Sequence, residues 1–118
     1  MQKENLILDK SFSFALAVID LYVQCQNRNE YVLSKQFLRS GTSIGANVEE
    51  SVAAHSKKDF VNKLKIANKE ARETRYWFRL LQYSKLVDVD FENALIEIES
   101  IINILTKIIK TTEQNTPE

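Results

Sequence analysis

The chain has few residues that interrupt helices and few that carry catalytic chemistry. Its 118 residues include two glycines, one proline (Pro117), one cysteine and one histidine. Because glycine and proline are the main helix breakers, their scarcity favours long helices over a sheet with many turns. No apolar run is long enough to span a membrane, and no signal-peptide core precedes Asp9, so we expect a cytoplasmic protein with no membrane partner. The length predicts a single domain over residues 1–118.

The single cysteine and the single histidine exclude most metal sites and nucleophilic sites. Cys25 cannot form an internal disulfide or a cysteine-rich zinc site. The only cation near it in the sequence is Arg28, three residues later, so we expect an unreactive thiol. His55 cannot supply a two-histidine site, and the residue three positions before it is Val52, not the glutamate of a di-iron motif. The serines lack a second base for a hydrolytic triad. We therefore predict no enzymatic activity, no metal and no cofactor.

Four segments with helical periodicity predict an all-α fold. They cover about residues 5–26, 30–55, 57–85 and 90–111, and a frayed polar tail follows at about 112–118. Because the connections are short, sequential helices should be antiparallel, which predicts an up-down-up-down four-helix bundle.

The apolar spacing predicts which face of each helix is buried. In the first segment this face is Phe12, Ala15, Ile19 and Tyr22, widened by Leu8, Leu16 and Val23. The third segment has a heptad seam of Phe60, Leu64, Ala67, Ala71, Thr74, Phe78 and Leu81. The fourth has Phe91, Leu95, Ile98, Ile102, Leu105 and Ile109, widened by Ala94, Ile101, Ile104 and Ile108. This last helix has more apolar surface than one bundle face needs, which leaves some for a partner.

Local signals mark the joints between the segments. An Asn-Arg-Asn turn at residues 27–29 should end the first helix, Ser56 should cap the third, and Asp88 or Asp90 should cap the fourth. Gly41 and Gly45 lie on one face of the second segment, so either a neighbouring helix approaches closely there or the segment breaks in two. We favour one helix, because apolar residues keep the same helical spacing beyond the glycines.

Charge is segregated along the chain although the formal net charge is zero. Residues 1–55 have a net charge of −1, residues 56–87 carry nine basic and three acidic side chains for +6, and residues 88–118 have −5. The basic third helix and the acidic fourth helix either complement each other as neighbours or leave a basic face free for a polyanion.

The third segment carries cations on one helical face. We call Lys58, Lys65, Lys69, Arg72 and Arg79 the basic stripe. Such a stripe can neutralise the phosphates of a nucleic acid, and Tyr76 and Trp77 add aromatic surface nearby. The alternative is a solvated outer face of a bundle helix.

A second candidate set combines polar groups of the second and third segments. Glu70 and Glu73 share one helical face, as do Asn47 and Glu50. If these faces meet, the carboxylates converge and need Arg39, Arg72 or Arg75 to neutralise them. The hypothesis is a polar cluster at a seam between subunits, formed by Asn47, Glu50, Glu70, Glu73 and Arg75. The alternative is a set of exposed pairs within single helices.

Four ordered motifs give the chain a family resemblance over roughly residues 8–110. They are Tyr31-Val-Leu-Ser-Lys-Gln, Arg39-Ser-Gly-Thr-Ser-Ile-Gly-Ala-Asn-Val-Glu-Glu, Ser56-Lys-Lys-Asp-Phe and Glu70-Ala-Arg-Glu-Thr-Arg-Tyr-Trp. With them the chain resembles the small bacterial four helix bundle proteins, whose founding members are encoded in intervening sequences within 23S ribosomal RNA genes. The resemblance implies a four-helix protomer, a ring-like homopentamer and no known enzymatic activity.

A more distant similarity bears on the partner. The accessory protein of diversity-generating retroelements is also pentameric and binds nucleic acid through a basic surface, but this chain lacks that protein's net positive charge. Two functions remain open. One is a non-enzymatic oligomer that binds RNA through the basic stripe, and the other is an oligomeric scaffold that binds a protein partner through the wide apolar face of the fourth helix or the mouth of the ring.

Overall fold

The computed structural model describes residues 3–115, with side chains from Leu6 onward. Its four helices are α1 (Lys3–Asn27), α2 (Leu33–Val52), α3 (Lys57–Ser84) and α4 (Glu92–Gln114). The described part of the chain contains no strand, so the all-α prediction is confirmed. The molecule measures 52 × 24 × 22 Å. None of the described helices is long and apolar enough to cross a membrane.

The second helix is shorter than predicted at both ends, because Glu30 acts as a cap instead of a helical residue. Its buried carboxylate accepts hydrogen bonds from the backbone N–H groups of Val32 (3.0 Å), Leu33 (2.9 Å) and Ser34 (2.7 Å). These donors have no partner within the helix. Burial raises the pKa of Glu30, but the three backbone hydrogen bonds outweigh it and hold this pKa below its ordinary value of 4.5. At the other end, α2 stops at Val52 instead of residue 55.

The predicted turn and the predicted cap of α3 are confirmed. Asn29 adopts a left-handed backbone with φ of 65°, which ends the polar turn after α1. Ser56 Oγ accepts a hydrogen bond from the Asp59 backbone N–H at 3.0 Å, and this satisfies one of the free donors at the start of α3. The helix ends at Ser84 because Lys85 is left-handed, with φ of 55°.

The bounds of α4 differ from the prediction at both ends. The helix begins at Glu92, two residues late, although the Asp90 side chain still accepts a hydrogen bond from the Glu92 backbone N–H at 2.9 Å. The Phe91 backbone N–H donates to the Gln82 side chain at 2.7 Å instead of entering the helix. At the other end α4 continues to Gln114, so the predicted tail is wrong for residues 112–114, while 116–118 lie outside the described residues.

The core is centred on four phenylalanines that come from all parts of the fold. Phe78 of α3 has ring centroids 6.1 Å from Phe14, 5.1 Å from Phe37 and 5.3 Å from Phe91. All four rings are buried. Aromatic contacts at these distances stabilise a core beyond the area that they remove from water.

The predicted seams of α3 and α4 form most of the rest of the core. Every seam residue is buried except Phe60 and Leu95, which are half-buried. The residues that widen the α4 seam are also enclosed: Ala94, Ile101 and Ile108 are buried and Ile104 is half-buried. The surplus apolar surface that the sequence assigned to a partner of α4 is therefore used inside the protomer.

The predicted inner face of α1 is wrong for four of its seven residues, whereas Leu8, Ala15 and Tyr22 are half-buried. The buried residues of this helix are Ile7, Ser11, Phe14, Val18, Leu21 and Cys25. Four residues that were predicted to be buried instead point to solvent, and we call them the α1 stripe: Phe12 (62% exposed), Leu16 (55%), Ile19 (45%) and Val23 (47%). The helix has apolar residues on both faces, so its periodicity alone does not select the inner one.

The two glycines of α2 explain which face of α1 is chosen. A Cβ atom built on Gly41 would lie 2.8 Å and 2.9 Å from the two Cγ atoms of Val18. One built on Gly45 would lie 3.3 Å from the Ser11 carbonyl oxygen. The glycines therefore admit a close approach of α1, and α2 remains one helix, as favoured from the sequence.

Replacing Gly41 with alanine should destabilise the fold. Overpacking against Val18 costs about 1–3 kcal/mol, which outweighs the gain in helix propensity of about 1 kcal/mol. In a Val18→Ala background the same change should become stabilising, because the clash is removed and the propensity gain remains. Urea unfolding of the four proteins measures both effects. An equal loss of stability in both backgrounds would contradict the close approach.

Candidate nucleic-acid interface

All five cations of the basic stripe are exposed along the outer face of α3. At 100° per residue they lie within about 80° of one another around the helix, and from Lys58 to Arg79 they extend about 31 Å along it. The carboxylates of α3 (Asp59, Glu70 and Glu73) lie outside this arc. The five cations predicted from the sequence therefore share one exposed face of α3.

The acidic helix α4 neutralises only part of the charge of α3. Lys65 pairs with Glu113 at 3.0 Å, and Arg75 pairs with Glu99 at 2.6 Å. The other members of the stripe have no carboxylate partner among residues 6–115: Lys58, Lys69, Arg72 and Arg79. The predicted complementarity between α3 and α4 is therefore partial, and a polyanion as the partner of the remaining cations stays a prediction.

The two acidic residues of the predicted polar cluster meet an arginine of α2. Arg39 binds Glu70 at 3.3 Å and forms a second ion pair with Glu73. Glu73 also accepts a hydrogen bond from the Trp77 ring N–H at 3.0 Å. The hydrogen bond from Arg39, followed by the one from Trp77, holds the pKa of Glu73 below its ordinary value. Of the three arginines that the sequence offered, Arg39 is the one that neutralises these carboxylates.

The remaining members of the predicted cluster lie elsewhere. Asn47 donates to the Ser43 carbonyl oxygen of its own helix at 2.9 Å. Glu50 pairs with Lys63 at 2.8 Å, a partner that the sequence reasoning missed, and Arg75 faces α4. The five residues therefore do not form one cluster within the protomer, and their role at a subunit seam stays a prediction.

Tyr83 is a residue of this surface that sequence reasoning did not single out. It is 76% exposed and lies seven residues after Tyr76, which is 52% exposed. Two helical turns separate the pair, so both rings lie on the same face as the basic stripe. The seven-residue spacing was the signal available in the sequence.

The cysteine and the histidine do not extend the site. Cys25 is buried, and burial, followed by the nearby Glu30 carboxylate, raises the pKa of its thiol to about 11. The thiol is therefore protonated at neutral pH. His55 is exposed between α2 and α3. Within the described residues, no three histidine, cysteine or acidic side chains come together to hold a metal ion.

Trp77 is the only tryptophan of the chain, so its fluorescence should report the protonation of Glu73. Because the pKa of Glu73 is lowered, the emission should change on acidification with a midpoint below the ordinary value of 4.5. This transition should vanish in Glu73→Gln, because the charged acceptor of the ring N–H is gone. A Glu50→Gln control should keep it, and far-ultraviolet circular dichroism defines the pH range in which the helices persist. An unchanged transition in Glu73→Gln would contradict the assignment.

Comparison with known proteins gives the family of the chain. The sequence model of the 23S rRNA-intervening sequence protein family matches residues 3–107. A crystal structure of a protein of unknown function from the S23 ribosomal protein family of Bacteroides thetaiotaomicron is 44% identical, with a TM-score of 0.86 over 92% of this chain and 99% of that chain. No match was found among curated proteins. Because the family match covers most of the four helices, the chain belongs to the 23S rRNA-intervening sequence protein family.

Proposed function

We propose that this protein is a non-enzymatic oligomer that binds the phosphates of RNA through the basic stripe. The observation that carries the proposal is the set of four exposed cations on one face of α3 without a carboxylate partner among the described residues. Leaving like charges side by side on a helix is unfavourable unless a polyanion neutralises them. The family name refers to a ribosomal RNA gene and agrees with this partner class.

The protomer that we propose is an antiparallel up-down-up-down bundle. The contacts between α2 and α3 support it. The Thr74 hydroxyl donates a hydrogen bond to the Ser40 hydroxyl at 2.7 Å, whereas Glu50 forms an ion pair with Lys63. Higher numbers on one helix therefore meet lower numbers on the next. In this arrangement the basic stripe is the outer edge of α3, away from the phenylalanine core.

We further propose that the protomers assemble as a ring through the α1 stripe. Its members recur at intervals of four, three and four residues and are each 45–62% exposed. Monomeric proteins rarely expose a contiguous row of large apolar side chains, and such a row marks an interface. A contact between this stripe and a different face of the next copy is heterologous, and repeated heterologous contacts form a ring when the rotation between neighbouring copies closes. The ring-like homopentamer implied by the family resemblance agrees with this geometry.

The second candidate function is an oligomeric or monomeric scaffold for another protein. The same α1 stripe favours it, in place of the α4 face that the sequence suggested, because the seam of α4 and the residues that widen it pack into the core. The two candidates differ in what covers the α1 stripe: a second copy of this chain or a different protein.

The RNA proposal predicts binding that is steeply dependent on salt. A labelled ribosomal RNA hairpin should lose about 100-fold in affinity between about 50 and about 200 mM salt if four phosphates are contacted, as measured by fluorescence anisotropy. Reversing two unpaired cations (Lys69→Glu with Arg72→Glu) should weaken binding and lower the salt slope by about two. Lys65→Glu should have a smaller effect, because Glu113 already neutralises this residue.

The matched control is Lys35→Glu with Lys107→Glu, which changes the net charge equally at exposed positions of α2 and α4. Equal weakening by the two double variants would show that net charge, and not the basic stripe, determines binding. Absence of binding by the unaltered protein at low salt would overturn the RNA proposal.

The assembly proposal predicts that Leu16→Glu disrupts the oligomer. A carboxylate in a desolvated contact is strongly unfavourable, so light scattering should give the mass of one chain, 13.7 kDa. Ile96→Glu, which changes an equally exposed apolar residue of α4, should keep the larger mass. An oligomer that survives Leu16→Glu would exclude the α1 stripe as its interface. A 13.7 kDa mass for the unaltered protein would leave the stripe free and favour the scaffold.

A further inference from the structure

The basic stripe of α3 is interrupted by two exposed aromatic rings. In its second half the order along the helix is Lys69, Arg72, Tyr76, Arg79 and Tyr83, with intervals of three, four, three and four residues. All five side chains are exposed and lie within the same arc of about 80°. From Arg72 onward, a cation and a ring therefore alternate about once per helical turn.

The rings have no role in the protomer core. Tyr76 is 52% exposed and Tyr83 is 76% exposed. Neither hydroxyl has a hydrogen-bond partner among the described residues, in contrast to Tyr31, which donates to the Asn29 side chain at 2.7 Å. Large rings that are exposed next to unpaired cations are available for a ligand that is both flat and anionic.

Tyr76 is held in position by the network behind it. Its ring contacts the Trp77 ring edge-to-face, with centroids 5.3 Å apart. Trp77 in turn donates to Glu73, and Glu73 is paired with Arg39 of α2. The ring of Tyr76 is thus supported by packing and hydrogen bonds between two helices, which reduces the entropy lost when a ligand stacks on its free face.

Stacked rings distinguish between paired and unpaired nucleotides. In a duplex each base is covered by its neighbours, so a tyrosine on the outside meets only sugar and phosphate. In a single strand the bases can turn outward and stack on aromatic side chains, while the flanking phosphates meet arginine and lysine. Tyr76 and Tyr83 are about 10.5 Å apart along the helix axis, which leaves room for a phosphate at Arg79 between two stacked bases.

We propose that the basic stripe binds an unpaired nucleic-acid strand, with bases stacked on Tyr76 and Tyr83 and phosphates on Arg72 and Arg79. This inference rests on the proposed function, because it uses the same cations. It adds that the ligand is single-stranded and that the two tyrosines select it.

The test compares three labelled ligands of about 12 nucleotides, a length within the range bound by single-strand modules. They are an unstructured strand, an abasic strand of the same length and a blunt duplex, and their affinities are measured by fluorescence anisotropy. The unstructured strand should bind most tightly. RNA and DNA versions are measured in parallel to identify the sugar, and the variants are then tested on the version that binds more tightly.

The variant Tyr76→Leu with Tyr83→Leu should weaken binding of the unstructured strand at least about fivefold for each ring, the lower end of the contribution of a stacked base. It should leave the abasic strand and the duplex unchanged. Phenylalanine at both positions should restore binding, because it keeps the ring. Tyr31→Leu, which removes an exposed ring outside the stripe, is the matched control and should have no effect.

The outcomes separate this inference from the proposed function. Salt-dependent binding that is equal for the strand, the abasic strand and the duplex would overturn the stacking inference and leave the phosphate-binding proposal intact. Equal weakening of the binding of all three ligands by the leucine variant would also overturn the stacking inference and leave the phosphate-binding proposal intact. If the unaltered protein binds none of the ligands at low salt, both fail together.

Discussion

The contact among four phenylalanine rings is the constraint on which the rest of the molecule depends. The four rings that meet in the centre of the core are Phe14, Phe37, Phe78 and Phe91. The first three fix the rotation of α1, α2 and α3, and Phe91 fixes the end of the loop that leads into α4. With Phe78 turned inward, the opposite face of α3 must point to solvent. The exposure of the basic stripe is therefore a consequence of aromatic packing as much as of its own charge.

The close approach of α1 and α2 is the second consequence of packing, and it exposes apolar surface. Only the side of α1 that carries Ser11 and Val18 fits the space that Gly41 and Gly45 leave on α2. Choosing this side turns Leu16 and its neighbours outward. An exposed apolar row is unfavourable in water, and here it accompanies the rotation of α1 that packs Ser11 and Val18 against the glycines of α2.

The surface of α3 combines charge and packing in one unit. Arg39 draws Glu70 and Glu73 to the α2 side, and α4 neutralises Lys65 and Arg75 on the other side. Four cations of the basic stripe (Lys58, Lys69, Arg72 and Arg79) keep no carboxylate partner among the described residues. The neutral net charge of the chain therefore conceals a local basic surface, because opposite charges are distributed to different edges of the same helix.

The sequence by itself determined the number of helices, the seams of α3 and α4, the Ser56 cap and the stripe of α3, because these follow from local periodicity and from neighbouring residues. Tertiary structure decided which of two apolar faces of α1 is buried, which arginine neutralises Glu73, and the role of Glu30 as a cap. The physical reason is that α1 presents two apolar stripes of similar strength. The choice between them depends on the shape of α2, which no local pattern in α1 contains.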